Sequence, residues 1–367
     1  MARARSGGSS HIVGRNRGRA KATPRAERIL FGLVLLVAVV ILFGRLGAAP
    51  LTDVDEGAFS QASLEMLARG SLVTPSLHGV ARFEDPALFH WLQMASMRIA
   101  GFNALAARLP SALAGLGFVL LIAAWSFTLA GRDLLAASFG AAIAATTLAV
   151  PTAARMASAD ATTGLFIALT GFAAWHALFV RDDALARRWS RVAALAIALG
   201  LLAKGPLAML VPVLAVPLAA ASARRGARLW LLLRDPLAWL IVLLVPLPWL
   251  LLQWRAMGAP FIEGFILRHQ IQRFTTPLDG VAHGFSYYPL ILLLTLLPWT
   301  PLAVRALVGV VRDGSHPLRA RDVALTWLPL VLVFLVYSFS ATKRAHDLGF
   351  ALPGVLAMLG VLAAIAA

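Results

Sequence analysis

The chain has 367 residues, 60% hydrophobic and 14% charged, with a mean hydropathy of +0.80; a soluble domain carries about a quarter charged residues, so a soluble globular class is excluded. The net charge of +16 is spread over an amino-terminal arm and short loops, which is the pattern of membrane topology signals and not of a nucleic-acid face. There is no cysteine, which removes disulfides, thiol catalysis and cysteine metal sites.

Residues 1–28 hold eight Lys and Arg with no apolar period, and read as a disordered basic arm. The apolar run that follows ends in "GAAP", which permits signal-peptide cleavage. Its length and the long basic arm favour a permanent signal-anchor helix. Apolar runs of spanning length predict ten membrane helices near 29–47, 105–130, 134–150, 161–180, 192–204, 206–222, 236–254, 286–304, 323–340 and 348–367. Pro206 marks a break between the fifth and sixth. Segment 86–101 carries His90, Gln93 and Arg98 among apolar residues, and predicts an amphipathic surface helix. A second such helix is expected over 57–69, ending at Gly70. The expected fold is thus an all-α polytopic membrane protein, with the arm at 1–28 and a transmembrane domain over 29–367 whose long external loops are 48–104 and 255–285.

With ten spans the loops alternate sides. One set, containing the arm, holds 21 of the 33 Lys and Arg and seven acids, each close to an arginine and readable as a solvated loop charge. By the positive-inside rule that set, with the amino terminus, is cytoplasmic, which implies the inner membrane of a cell. The other set holds Asp53, Asp55, Glu56, Glu65, Glu84, Asp85, Asp160, Glu263, Asp279 and Asp347 together with both long loops. Long loops in compact proteins are commonly functional, so the working face is expected outside the cytoplasm.

The stretch "LTDVDEGAFSQASLEMLARG" places three carboxylates in four residues just after the first span. Asp53 or Asp55 suffices to cap the helix behind it, and one cap leaves two acids unexplained. In "RFEDPALFHW", Asp85 before Pro86 reads as an N-cap followed by an N1 proline, which leaves Glu84 without such a role. Asp160, in "ARMASAD", lies at a span edge near Arg155, where acids are costly and usually functional. The basic residues on this side include Lys204, His269, Arg273, His283, Lys343, Arg344 and His346. Singly each reads as a snorkelling anchor or a surface imidazole. Together with the acids they can hold a divalent ion and an anionic phosphate beside apolar spans suited to a lipid tail. That combination points to transfer of a group from a lipid phosphate, with a carboxylate base and cations on the leaving group.

"TDVDEGAFSQASLEMLARGSLVTPSLHGVARFEDPALFHWL…ARLPSALAG" resembles the first external loop of membrane C-type glycosyltransferases, the group of dolichyl-phosphate-mannose protein mannosyltransferases and the bacterial aminoarabinose transferase of lipid A. The similarity continues through "ARMASAD", "LAKGP", "HQIQRF", "YYPLILLLTLLPW" and "SFSATKRAHDLGFALP". The resemblance implies an inverting transferase that moves a sugar from a polyprenyl-phosphate donor to an acceptor among membrane lipids, glycans or proteins. It implies Asp55 as catalytic carboxylate with Glu56 beside it, Asp160 as a second catalytic acid, Glu84 and His269 as ligands of a divalent metal such as zinc, and Lys204 and Arg273 facing the donor.

Three departures stand out. The family's x-Arg-Tyr after "DE" is Gly57-Ala58-Phe59, its Glu-Lys-Pro-Pro is Glu84-Asp85-Pro86-Ala87, and the tyrosine of its "KLPHY" is Asp347. Two phosphate-facing cations are thereby missing, and Arg82 and Lys343 are the candidates to replace them. Relatives commonly continue into further helices and an external soluble domain, whereas this sequence stops in its tenth apolar run. The rival readings are a transporter, which would show paired broken helices with polar residues at mid-membrane, and a catalytically impaired scaffold.

Overall fold

The structure, a computed structural model, describes residues 23–51, 54–272, 275–276, 284, 286–312, 320–344, 349 and 352–367. Asp53, Arg273, Asp279, His283, His346 and Asp347 fall outside the described residues. The described chain is almost wholly helical, with one two-stranded hairpin.

Helix α1 (Pro24–Phe43) starts where Thr23 caps Ala26 N–H and proline occupies the first position, a favoured start because proline lacks an N–H that would be unpaired there anyway. Helix α2 (Val54–Arg69), the hairpin β1 (Ser76–Leu77) and β2 (Val80–Ala81), and α3 (Leu88–Ala100) follow at one end of the bundle. They match the two expected surface helices, and α2 stops at Gly70 with φ +62. Helices α4 (Ala104–Leu129), α5 (Leu134–Thr146), the short α6 (Ala149–Ala154) and α7 (Asp160–Phe179) then build the core with α1 and, from the far end of the chain, α18 (Pro353–Ala366). Its centre holds Trp125, Ile122, Leu129, Ile143 and Leu356, all fully buried. Where α18 meets α5 the backbones nearly touch, since a Cβ at Gly360 would stand 2.6 Å from Gly140 Cα. Small residues permit such approaches in membrane helix pairs.

Helix α8 (Asp183–Lys204) returns along α7 and ends at Gly205, whose φ of +74 lets the chain turn into α9 (Leu207–Ser222). The expected break at Pro206 is there. Helices α10 (Gly226–Leu233), α11 (Pro236–Leu244), α12 (Leu247–Met257), α13 (Ala259–Phe261) and the π-helix α14 (Ile262–Gln272) complete the first part, and α15 (Tyr287–Thr295), α16 (Thr300–Arg312), α17 (Ala320–Ser338) and α18 (Pro353–Ala366) the second.

Four helical stretches among the described residues are long and apolar enough to cross a membrane: α1, α4, α7 and the α11–α12 pair. Each of the other six expected intervals contains a helix that is shorter, more charged or interrupted. The expected span 286–304 is not straight, because α15 and α16 meet at 112°. Pro298 lies at this break and cannot donate into a continuing helix. A second break thus joins the one at Gly205-Pro206, but residues 296–299 bring no charge to it.

The acids near the arginine-rich loops are not merely solvated. Asp133, Asp182 and Asp235 each accept an N–H from the helix that follows, at Leu135 (2.8 Å), Leu185 (2.6 Å) and Leu237 (3.1 Å). Asp235 is buried and also paired with Arg191 Nε at 2.9 Å.

Candidate active site

The site is built around a clamp. Arg108, on α4, has five N–H groups and all five find acceptors. Nε and Nη2 hold the two oxygens of Glu56 at 2.8 Å each, while the remaining protons go to the carbonyls of Leu46 (3.0 Å), Ala49 (2.8 Å) and Pro50 (2.9 Å). Glu56 also accepts the N–H of Ala157 at 2.9 Å. Glu56 and Arg108 are both buried, and together they tie the chain after α1, the first turn of α2, α4 and the segment before α7. A buried bidentate pair with every proton satisfied is a strong positioning device. In the sequence Arg108 stands inside "ARLPSALAG" with no partner nearby, and a lone arginine near a span start looks like an anchor until its partner is known.

A second device fixes the hairpin. Its two-residue turn, His78-Gly79, has φ of 53 and 78, the left-handed pair that a type I′ turn requires. Glu65 on α2 accepts from the Ser76 hydroxyl and from His78 N (2.7 Å) and Gly79 N (3.2 Å). The Ser76 hydroxyl, foremost, holds the Glu65 carboxyl down at about 2. Glu65 is thus a strut of the segment between α2 and α3. Under α2, Ser63 Oγ meets His90 Nδ1 at 2.8 Å and Gln93 Oε1 at 2.6 Å, and Gln93 Nε2 donates to Ala107 O at 3.0 Å. Burial, with Arg82 nearby, pushes His90 down to about 3, so the imidazole is a neutral core group.

Beyond the hairpin lie the charged residues. Arg82 is ion-paired with Glu84, and its guanidinium stands 5.4 Å from the centre of the Phe59 ring. Arg82 Nη1 is buried without a hydrogen-bond partner among the described residues. Burial pushes the Glu84 carboxyl up, and Arg82, then His269 and Arg344, outweigh that and bring it below its ordinary value. Asp85 does not cap α3 as expected: the helix begins at Leu88, its N-cap is Ala87, and no side chain bonds there. Instead burial raises the Asp85 carboxyl, with Asp160 and Glu84 adding and Lys204 and Arg82 opposing. Asp160 opens α7 without capping it and is ion-paired with Lys204 at the end of α8. Ser158 Oγ donates to its other oxygen at 3.4 Å. The neighbour expected for Asp160, Arg155, turns away to the carbonyls of Ile41 (2.7 Å) and Leu42 (3.4 Å).

Asp55, Ser158 and Asp160 border a cavity of about 410 Å³ whose remaining walls are largely apolar. Phe118 of α4, Val150 of α6, Gly164 of α7, and Ile291 and Leu294 of α15 supply much of that wall. The geometry therefore brings Asp55, Asp160 and Lys204 to one rim, and groups Arg82, Glu84 and His269 electrostatically beside it. Glu56 stands apart, committed to Arg108. Lys343 is buried with its ammonium 2.5 Å from Ser340 O, and it does not line the cavity. Among the described residues no three His, Asp or Glu side chains are placed to hold a metal ion. Glu84 and His269 are a pair only, and a guanidinium already sits on Glu84. They do not by themselves fit the expected divalent site.

Residues 30–259 match the profile of the dolichyl-phosphate-mannose-protein mannosyltransferase family. The chain is 30% identical over 319 residues to the undecaprenyl phosphate-α-4-amino-4-deoxy-L-arabinose arabinosyl transferase of Pectobacterium carotovorum, covering 83% of this chain and 55% of that protein. A protein of the same description, numbered 1, from Sodalis glossinidius is 31% identical over 328 residues, covering 87% and 56%. The chain thus spans about half the length of these relatives. The fold matches the crystal structure of ArnT from Cupriavidus metallidurans bound to undecaprenyl phosphate, with a TM-score of 0.78 over 90% of this chain and 59% of that one, at 22% identity. The chain is an integral membrane protein and belongs to the dolichyl-phosphate-mannose-protein mannosyltransferase family.

Proposed function

We propose that this protein transfers a sugar from a polyprenyl-phosphate donor to an acceptor nucleophile at the membrane surface. The observation that carries the proposal is the apolar cavity whose rim holds Asp55 and the Asp160–Lys204 pair. An apolar wall suits a prenyl tail, and a charged rim suits the phosphate and sugar. Relatives about 30% identical are described as acting on undecaprenyl-phosphate aminoarabinose, which supports a lipid-phosphate donor.

In this reading the acceptor oxygen attacks the anomeric carbon while Asp55 takes its proton. The bond from that carbon to the phosphate oxygen breaks with the electron pair leaving on the phosphate, and the anomeric centre inverts. Lys204 and the Arg82 Nη1–H face the departing phosphate, where fixed positive charge lowers the barrier. Asp160 orients Lys204, and the Glu56–Arg108 clamp sets the position of Asp55. Arg273 and Lys343 stay as further candidate donor contacts. We assign ten crossings from the apolar runs, and an inner-membrane location with a cytoplasmic amino terminus and an extracytoplasmic rim from the arginine bias of the loops.

The test is transfer from radiolabelled polyprenyl-phosphate sugars in membranes carrying the protein. Labelled product from at least one donor, about tenfold or more weaker with Lys204→Met, is the expected result. Absence of product with every donor of a broad panel, from folded protein, would overturn the reading.

A further inference from the structure

At the other end of the bundle a second cavity, about 300 Å³, opens between α7, α8, α9, α10 and α11. Its volume falls within the range of small-molecule sites. It is separate from the first. Helix α7 contributes Asp160 and Gly164 to the first cavity and Thr170, Ala174 and Ala177 to the second, and a rise of about 1.5 Å per residue puts the nearest of these, Gly164 and Thr170, about 9 Å apart along one helix. The space comes from sequence. Ala174, Ala177, Ala193 and Ala194 face it from α7 and α8, and two prolines, Pro212 and Pro217, face it from α9.

Two further observations say what fills it. The cavity opens sideways, because three of its lining residues, Val213, Leu233 and Trp239, are exposed on the outer surface of the helices, where hydrocarbon would be. Its inner mouth is basic. The lining stripe of α8, Ser190–Ala194–Ile197, continues one turn back to Arg187, and Leu229 of α10 has Arg225 one turn before it, since residues three or four apart share a helix face. Segments 181–191 and 224–235 hold eight arginines against three aspartates. Of these, Arg191 and Arg228 are matched to Asp235 and Asp183, and Asp182 caps α8. Arg225 lies 5.7 Å from the Phe179 ring centre and Arg234 lies 4.7 Å from that of Trp230, which holds cations and aromatic rings together, the pairing suited to the depth where headgroups meet chains.

We propose that this cavity binds an anionic phospholipid, with one acyl chain between α8, α9 and α11 and its phosphodiester between Arg187 and Arg225. Basic pockets between membrane helices recognise anionic headgroups in this way. The inference goes beyond the donor site and does not rest on it.

The test titrates the full-length protein, purified in detergent, with phosphatidylglycerol and with phosphatidylcholine of the same chains, and reads retained lipid by native mass spectrometry. Phosphatidylglycerol should be retained preferentially. The double variant Arg187→Gln/Arg225→Gln should weaken it about 30-fold, about fivefold for each arginine, with no change for phosphatidylcholine. Ala194→Phe should expel the lipid by filling the cavity, and if that variant fails to fold the arginine pair decides alone. Equal retention of the two lipids, unchanged phosphatidylglycerol binding in the double variant, or displacement by inorganic phosphate would each overturn the proposal.

Discussion

The two ends of α7 treat acids in opposite ways. At the arginine-rich end Asp133, Asp182 and Asp235 cap the helices that follow them, so their charges meet backbone N–H groups and helix dipoles. At the other end Asp55 and Asp160 sit in helical first turns, with no side-chain cap on α7, and border a cavity. Helix architecture uses up the first set and leaves the second set to chemistry. Cations follow the same division. Arg187, Arg188 and Arg224 are exposed, whereas Arg108 and Lys204 are drawn inward onto Glu56 and Asp160.

The sharpest way to break this comparison is to cut the clamp. Arg108→Met leaves Glu56 buried without its partner, which costs about 3–5 kcal/mol; Arg188→Gln at the exposed end should stay within about 0.5 kcal/mol. Chemical denaturation of both variants in the same detergent compares them directly. A small effect at Arg108 would mean that the Glu56 end is not held by its ion pair.

The cavity itself comes next. A Cβ at Gly164 meets nothing within 4 Å, and that glycine lines the wall beside the acids. Gly164→Leu should therefore fold normally while occupying donor space, and we expect donor binding to weaken about tenfold, or about 1.4 kcal/mol, in a polyprenyl-phosphate binding assay. Unchanged binding would place the lipid elsewhere.

A pH effect on stability has a definite sign. His90 is held at about 3, below its ordinary 6.5, so between those values the unfolded chain binds the extra proton and stability falls as the medium becomes more acid, by up to about 1.4 kcal/mol per pH unit. Glu65, held at about 2 against 4.5, adds stability above pH 4.5 that is lost as pH falls towards 2. Denaturation midpoints from pH 7 to pH 4 should drop for the native chain and drop less for His90→Gln. Equal slopes would show that another group takes up the proton.

Much of this was legible in the sequence, for physical reasons that differ by residue. The surface helices over 57–69 and 86–101 showed through apolar spacing and Gly70, and the α8–α9 break through Gly205-Pro206. The bend between α15 and α16 did not show, because the apolar run continues unbroken through it and only Pro298 hints at a stop. Alternation of the loops between apolar runs groups Asp55 with Asp160, but their nearest partners depend on long-range packing. Arg155 is five residues from Asp160 and does not touch it, while Lys204 is 44 residues away and does. For the same reason Glu56 looked like the twin of Asp55 until Arg108 was seen 52 residues on. Asp85 matched a capping pattern in letters, yet the helix starts two residues past Pro86.

The central claim is that Asp55 acts as the base at the mouth of an apolar cavity, and one variant tests it most directly. In Asp55→Asn, donor binding and single-turnover sugar transfer would be measured on the same purified protein. The account predicts donor binding within about threefold of the native chain and transfer slower by about 10²–10⁴, the range for losing a general base. Transfer at the native rate with donor bound would contradict it, and the proton would then have to leave through another group on that rim.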